Sequence, residues 1–300
     1  MSEFSAIGWG PFAATARTLL AMLVLYGVLV LASLGAAWAT RRGSSLRAQI
    51  NAWWLIFPVV SACLLLYPWG PALLMWLIAF LALRELAALH ATPRHYFWGV
   101  GAAVWLLQMA LAWWHAALAT SVLAGLLLLQ ALVFVLRRQR SHLLLLLFLL
   151  LCLGLSFLPL LLQHTPMAGL NLAWFFYLLA LTALNDIAQF IGGKCFGRHK
   201  IAARISPQKT WQGLLAGVFA SMLISLLLGR YLRLADAPLL VGLGVGLSLA
   251  GFVGDLLYSA GKRRLGIKDY SALIPGHGGM LDRVDSLVLT APMLYLGLLI

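Results

Sequence analysis

Ser259-Ala-Gly-Lys-Arg-Arg-Leu-Gly-Ile-Lys-Asp-Tyr-Ser-Ala-Leu-Ile-Pro-Gly-His-Gly-Gly-Met-Leu-Asp-Arg-Val-Asp285 is a stretch that cannot face lipid. It sets five basic residues, Lys262, Arg263, Arg264, Lys268 and Arg283, against three carboxylates, Asp269, Asp282 and Asp285. A Pro275–Gly279 turn lies between them. The chain has only eight Asp and Glu, so three in one stretch is a strong concentration. Anions and a metal are the partners such a segment suits.

Outward from this stretch the chain is overwhelmingly apolar. It is 63% hydrophobic and 10% charged with a mean hydropathy of +0.97, against roughly 25% charged residues in soluble domains. Apolar runs near the 20 residues that cross a bilayer recur throughout. We expect an all-α polytopic transmembrane helical bundle of about nine or ten spans. The candidates are 13–39, 52–67, 71–90, 97–115, 117–136, 143–162, 170–191, 211–229, 237–258 and 286–300. The start, Met-Ser-Glu-Phe-Ser, lacks a basic n-region, so the first run reads as a retained anchor.

A formal charge of +13 would suit nucleic acid, but its placement argues for a membrane instead. With the N-terminus outside, the loops on the inner side carry Arg41, Arg42 and Arg47, then Arg94, then Arg137, Arg138 and Arg140. They also carry Lys194, Arg198, Lys200, Arg204 and Lys209, and the basic residues of 259–285. That is the bias insertion imposes on short loops. It puts both polar loops of the C-terminal half, 192–210 and 259–285, in the cytoplasm. Cys63, Cys152 and Cys195 form no disulfide or zinc spacing.

The halves differ. Residues 1–169 hold only two acids, Glu3 and Glu85 (the latter beside Arg84 in the third span), and read as supporting, lipid-facing helices. Their leucine-rich run at 143–151 reads as membrane filler. Residues 170–300 hold six acids and read as the catalytic region. Gly213 with Gly217, and Gly242 with Gly246, are small-x-x-x-small pairs suited to close helix packing.

A carboxylate inside a span costs about 2.5–3.5 kcal/mol on insertion scales and normally faces a partner in the protein. Asp186 and Asp255 sit near the inner ends of their spans, and Asn185 and Gln189 add polar groups beside Asp186. Asp255, Ser259 and Lys262 share one helical face, as do Asp282 and Asp285. The four acids Asp186, Asp255, Asp282 and Asp285 are expected to converge near the cytoplasmic surface as hard ligands for Mg²⁺. The alternative is structural pairing with Lys262, Arg263 or Arg283. In the 192–213 loop, Lys200, Arg204 and Lys209 with the hydroxyls of Ser206 and Thr210 suit phosphates. Pro207 followed by the start of a span would aim helix N–H groups at an anion. His277 lies among glycines that let backbone approach a ligand.

The stretch resembles the hallmark of CDP-diacylglycerol synthases, the phosphatidate cytidylyltransferases. Ser259, Lys262-Arg263, Lys268-Asp269, Pro275, His277-Gly278-Gly279 and Asp282-Arg283-Val284-Asp285 match it in order and at full spacing. Asp186, the run Ile205 to Thr210, and Gly254-Asp255 resemble it too, so the likeness covers roughly residues 180–285. Residue 185 is Asn where relatives more usually carry a small residue. The resemblance implies a bacterial inner-membrane enzyme that joins CTP and phosphatidate into CDP-diacylglycerol and pyrophosphate. It implies Mg²⁺ on Asp186, Asp255, Asp282 and Asp285, with potassium a candidate second ion. Catalysis would fall to Asp255, Asp282, Asp285, Lys262 and Arg263. Substrates would be held by Ser206, Lys209, Thr210, Ser259, Lys268, Asp269, His277, Gly278, Gly279 and Arg283. It further implies a homodimer in the bilayer, with no nucleic-acid partner. Two alternatives stay open: the same transfer onto another lipid phosphate or a polyprenol, and a transporter or scaffold that binds lipid headgroups.

Overall fold

The computed structural model of the protein describes residues 15–39, 45–67, 69–90, 94–114, 116–165, 167–273 and 278–300. The expected turn residues Pro275, Gly276 and His277, and the loop residues Arg41 and Arg42, lie outside them.

The chain is a multi-pass bundle of helices, as the apolar runs require: in lipid a backbone must satisfy its own hydrogen bonds. In order come α1 (Ala16–Ala39), α2 (Ser45–Leu65), α3 (Trp69–Ala88), α4 (Arg94–Trp114), α5 (Ala116–Arg137) and α6 (Arg140–Leu162). Then follow α7 (Ala168–Phe196), a hairpin of β1 (Lys200–Ala202) and β2 (Ser206–Thr210), α8 (Trp211–Tyr231) and α9 (Ala237–Leu265). The chain closes with α10 (Leu281–Val284) and α11 (Leu287–Gly297). Among the described residues seven helices, α1, α3 and α5 to α9, are long and apolar enough to cross a membrane. The expected spans at 52–67 and 97–115 fall on α2 and α4.

Two expectations need correcting. The leucine-rich run is no filler. It forms α6, the middle of the bundle, where Leu144, Phe148, Leu151 and Leu155 are fully buried at helical spacing. There α6 packs against α3, α4, α5, α7, α9 and α11. The second correction concerns glycines. Gly213 and Gly217 do seat α8 against Gln189 and Gly193 of α7, but a methyl on Gly242 would meet nothing within 4 Å. Its partner Gly246 does make a close approach, to the Met293 side chain of α11, and Gly244 faces the backbone of Met222 in α8.

The helices α7, α8, α9 and α11 share a polar seam. Tyr177 and Ser225 hydroxyls meet at 2.6 Å, and Thr182 donates to Thr290 at 3.0 Å. Asn185 Oδ1 accepts from Ser221 Oγ of α8 at 3.1 Å and Ser248 Oγ of α9 at 2.6 Å. Each pair closes a donor or acceptor that lipid would leave unmet.

Candidate active site

The seam leads up to the acids. α7 continues past residue 191 to Phe196 and α9 past 258 to Leu265, because Lys194 and Lys262 to Arg264 can leave the bilayer without breaking the helix. Basic residues in a last turn also suit the helix dipole. α9 stops at Gly266, whose left-handed φ of 71° caps it, with Ile267 N–H donating to Lys262 O at 3.0 Å. The hairpin turns the chain back so that β2 runs directly into α8. Thr210 caps that helix, its Oγ1 accepting from Gly213 N–H at 3.1 Å. The Thr210 hydroxyl, expected on a phosphate, is thus engaged by its own helix.

Asp255 of α9 is held on both oxygens. Ser259 Oγ donates to Oδ1 at 3.0 Å, and Lys209 Nζ lies 2.7 Å from Oδ2. The Lys209 ammonium also sits 4.7 Å over the Phe252 ring. Asp186 of α7 accepts from Ser286 Oγ at 3.3 Å and from Asn185 Nδ2 at 3.4 Å. Asp285, 6% exposed, caps the Ser286 N–H at 2.9 Å. The charges of Asp186, Asp255 and Asp285 act on one another, with Lys209, Lys262 and Arg283 opposing. Burial first, then the neighbouring Asp255 and Asp186 carboxylates, hold the Asp285 carboxyl well above the usual carboxylate range. Gly254 makes the approach possible: a methyl there would stand 2.5 Å from the Asp285 carbonyl oxygen.

Asp282, expected beside these three, is engaged elsewhere. Its Oδ1 takes the Lys262 ammonium at 2.7 Å, and its Oδ2 accepts the N–H groups of Tyr270 at 2.9 Å and Gly279 at 2.8 Å. This is the structural pairing left open from the sequence. Lys262, expected on a phosphate, is buried and lies 5.6 Å over the Tyr270 ring. Arg263 donates to the carbonyls of Ile205 at 3.0 Å and Ile267 at 3.4 Å, tying the hairpin to the end of α9. Lys268, Asp269 and Arg283 are exposed, Ser206 is half-buried on β2, and Gly278 has the left-handed φ of 79° that favours glycine.

Pattern-reading of 259–285 misses Glu85. This α3 residue is 3% exposed, and its carboxylate accepts from Ser271 Oγ at 2.6 Å, Met280 N–H at 2.7 Å and Leu281 N–H at 3.0 Å. Its signal in the sequence was its rarity, an acid inside an apolar helix, where an ionisable group marks function by default. Nothing local named its partner.

Among the described residues no group of three or more His, Cys, Asp or Glu forms a ready-made metal cage. The seam instead offers an incomplete oxygen-rich set. The charges of Asp186, Asp255 and Asp285 act on one another, Lys209 is paired directly with Asp255, and the buried Gln189 Nε2, one turn from Asp186, has no hydrogen-bond partner among the described residues. Such a set suits a hard cation that takes one or two carboxylates and completes its shell with waters and phosphate oxygens.

Residues 47–300 match the family model described as the cytidylyltransferase family. The uncharacterized protein YnbB of Escherichia coli (strain K12) is 37% identical over 290 residues, covering 91% of this chain and 96% of that protein. A phosphatidate cytidylyltransferase of Chlamydia muridarum is 41% identical over 143 residues, 46% of this chain and 47% of the relative. One of Staphylococcus aureus (strain COL) is 37% identical over 125 residues, 41% and 48% respectively. The match thus spans about half the length of these two relatives.

Proposed function

The chain belongs to the cytidylyltransferase family, and on that footing we propose that it joins CTP to phosphatidate, giving CDP-diacylglycerol and pyrophosphate. The observation that carries the reading is that the charges of Asp186, Asp255 and Asp285 act on one another while Lys209 is paired directly with Asp255. Among the described residues Asp186 and Asp285 have no directly paired ammonium, and their carboxylates are open to an added cation. A phosphate oxygen of the lipid attacks the α-phosphorus of CTP, a new P–O bond forms, and the bond to the β-phosphate bridging oxygen breaks. The electron pair leaves with pyrophosphate. Phosphoryl-type transfer of this kind needs little covalent help and much positioning and charge neutralisation.

Asp186, Asp255 and Asp285 would hold Mg²⁺, and Gln189 Nε2 is free to donate to a phosphate oxygen. When bound, Mg²⁺ supplies charge neutralisation at the phosphates. Lys209, from the end of β2, orients Asp255 and adds a positive charge beside the reacting phosphates. Ser259 fixes the other Asp255 oxygen. The apolar helices keep the acyl chains in the bilayer. The charge bias over the loops favours an inner-membrane protein with the acids on the cytoplasmic side.

The test uses the purified chain in detergent with Mg²⁺, phosphatidate and CTP labelled on the α-phosphate. Label should enter the lipid phase, and Asp186→Asn should remove it. Transfer to a polyprenyl or ether-lipid phosphate but not to phosphatidate would replace the substrate and keep the chemistry. Folded protein that transfers to none of them would overturn the reading.

A further inference from the structure

Glu85 binds the chain on both sides of residues 274–277. Ser271 before them and Met280 and Leu281 after them all donate to its carboxylate, across 186 to 196 residues of sequence. The four-residue α10 cannot satisfy its own leading N–H groups; Glu85 accepts those of Met280 and Leu281 from outside, while Asp282, within α10, accepts the Gly279 N–H. The fit is tight. A methyl on Gly279 would stand 2.7 to 2.9 Å from the Glu85 carboxylate, so the second glycine of the pair leaves room for the acid. Three residues beyond Asp282 the chain reaches Asp285, whose carbonyl oxygen is pressed against Gly254, the neighbour of Asp255. The distance between Asp285 and Asp255 is therefore set from two sides, by Gly254 in α9 and by the turn anchored on α3.

We propose that Glu85 is a positioning residue for cytidylyl transfer, fixing Asp285 against Asp255 through the turn it holds. The inference rests on the proposed function. Glu85 touches no reacting atom; it acts through backbone N–H groups. Gln in its place keeps the shape but turns an NH₂ group toward one of those N–H donors, so one contact becomes a donor facing a donor.

The experiment compares wild type, Glu85→Gln and Ser271→Ala as full chains in detergent, with turnover counted per monodisperse folded protein. Misplacement of a reacting group by about 1 Å costs about 100-fold in rate. Glu85→Gln should accordingly lose turnover by about that factor while its KM for CTP stays within about twofold, because the group displaced acts in the transition state. Turnover at the wild-type level, or a rise in KM alone, would overturn the proposal. If Glu85→Gln does not fold, Ser271→Ala decides: a several-fold loss of turnover at constant KM supports the role, and unchanged turnover removes it. A second cycle reads the glycine. Gly279→Ala should cost turnover in wild type and little more in a Glu85→Ala background; equal cost in both backgrounds would overturn the link. If wild type transfers no label at all, the functional reading fails and amide exchange takes over. Met280 and Leu281 should then exchange at least tenfold faster in Glu85→Gln with α9 unchanged, and equal rates would overturn the anchor.

Discussion

The seam between α7, α8 and α9 and the turn before α10 both place carboxylates at one end of the bundle, and they use them in opposite ways. In the turn, Glu85 and Asp282 each receive three hydrogen bonds from groups that belong to the fold. In the seam, Asp186, Asp255 and Asp285 crowd together, with Lys209 the directly paired ammonium among the described residues. A satisfied buried acid rigidifies what it binds. An under-neutralised set stores a demand for positive charge, which is costly in the free protein and useful when a cation and phosphates arrive. The difference teaches that two acids three residues apart, Asp282 and Asp285, can serve unlike ends.

The largest effect tests the seam. Asp186→Asn should lower transfer about a thousandfold, the scale seen when a preorganised charge-stabilising group is removed. It should also raise the melting temperature of the metal-free protein, since it relieves like-charge crowding; a lower melting temperature would break the contrast. Chelating divalent ions from wild type should reproduce the loss of transfer.

The turn should respond the other way round. Asp282→Asn leaves the buried Lys262 ammonium short of its partner, and breaking such a pair costs about 3–5 kcal/mol. Thermal unfolding in detergent should show that loss with or without divalent ion. A variant as stable as wild type would return Asp282 to the metal set.

Smaller effects sharpen the boundary between the two regions. Gly254→Ala should cost about 1–3 kcal/mol, because its methyl would push on the Asp285 carbonyl. The displacement should also weaken Mg²⁺ binding, read by titration. Gly242→Ala meets open space and should stay within about 0.5 kcal/mol of wild type. Comparable costs at the two glycines would mean that the approach to Asp285 does not set the result.

Much of this was legible in the amino-acid order. Helices announce themselves in an apolar chain because lipid admits few other backbones. Their ends were less visible. Hydropathy reports where hydrocarbon stops, whereas the hydrogen-bond ladder of α9 runs on through Lys262, Arg263 and Arg264. The hairpin hid because Lys200-Ile-Ala and Ser206-Pro-Gln-Lys-Thr show no strand alternation, and Pro207 argues against a strand. The 259–285 pattern marked both Asp282 and Asp285 and put them on one face. It could not say that Lys262 and the Tyr270 N–H would claim the first. Glu85 was visible as a rare acid, but its partners are nearly 200 residues away.

That separation has a cost in time. α3 is synthesised long before the residues that satisfy Glu85, the last of them 196 positions later. At about 5–20 residues per second the interval is about 10–40 s. Throughout it, the membrane holds an acid without its final donors. Glu85 lies three residues from the end of α3, at Ala88, close enough to the interface for water to serve in the meantime. The site is therefore closed late, when the stretch from Ser271 to Leu281 reaches back to a helix laid down 186 to 196 residues before it. A chain stopped short of Met280 would leave the bundle with an unanswered charge, a mark by which incomplete copies differ from finished ones.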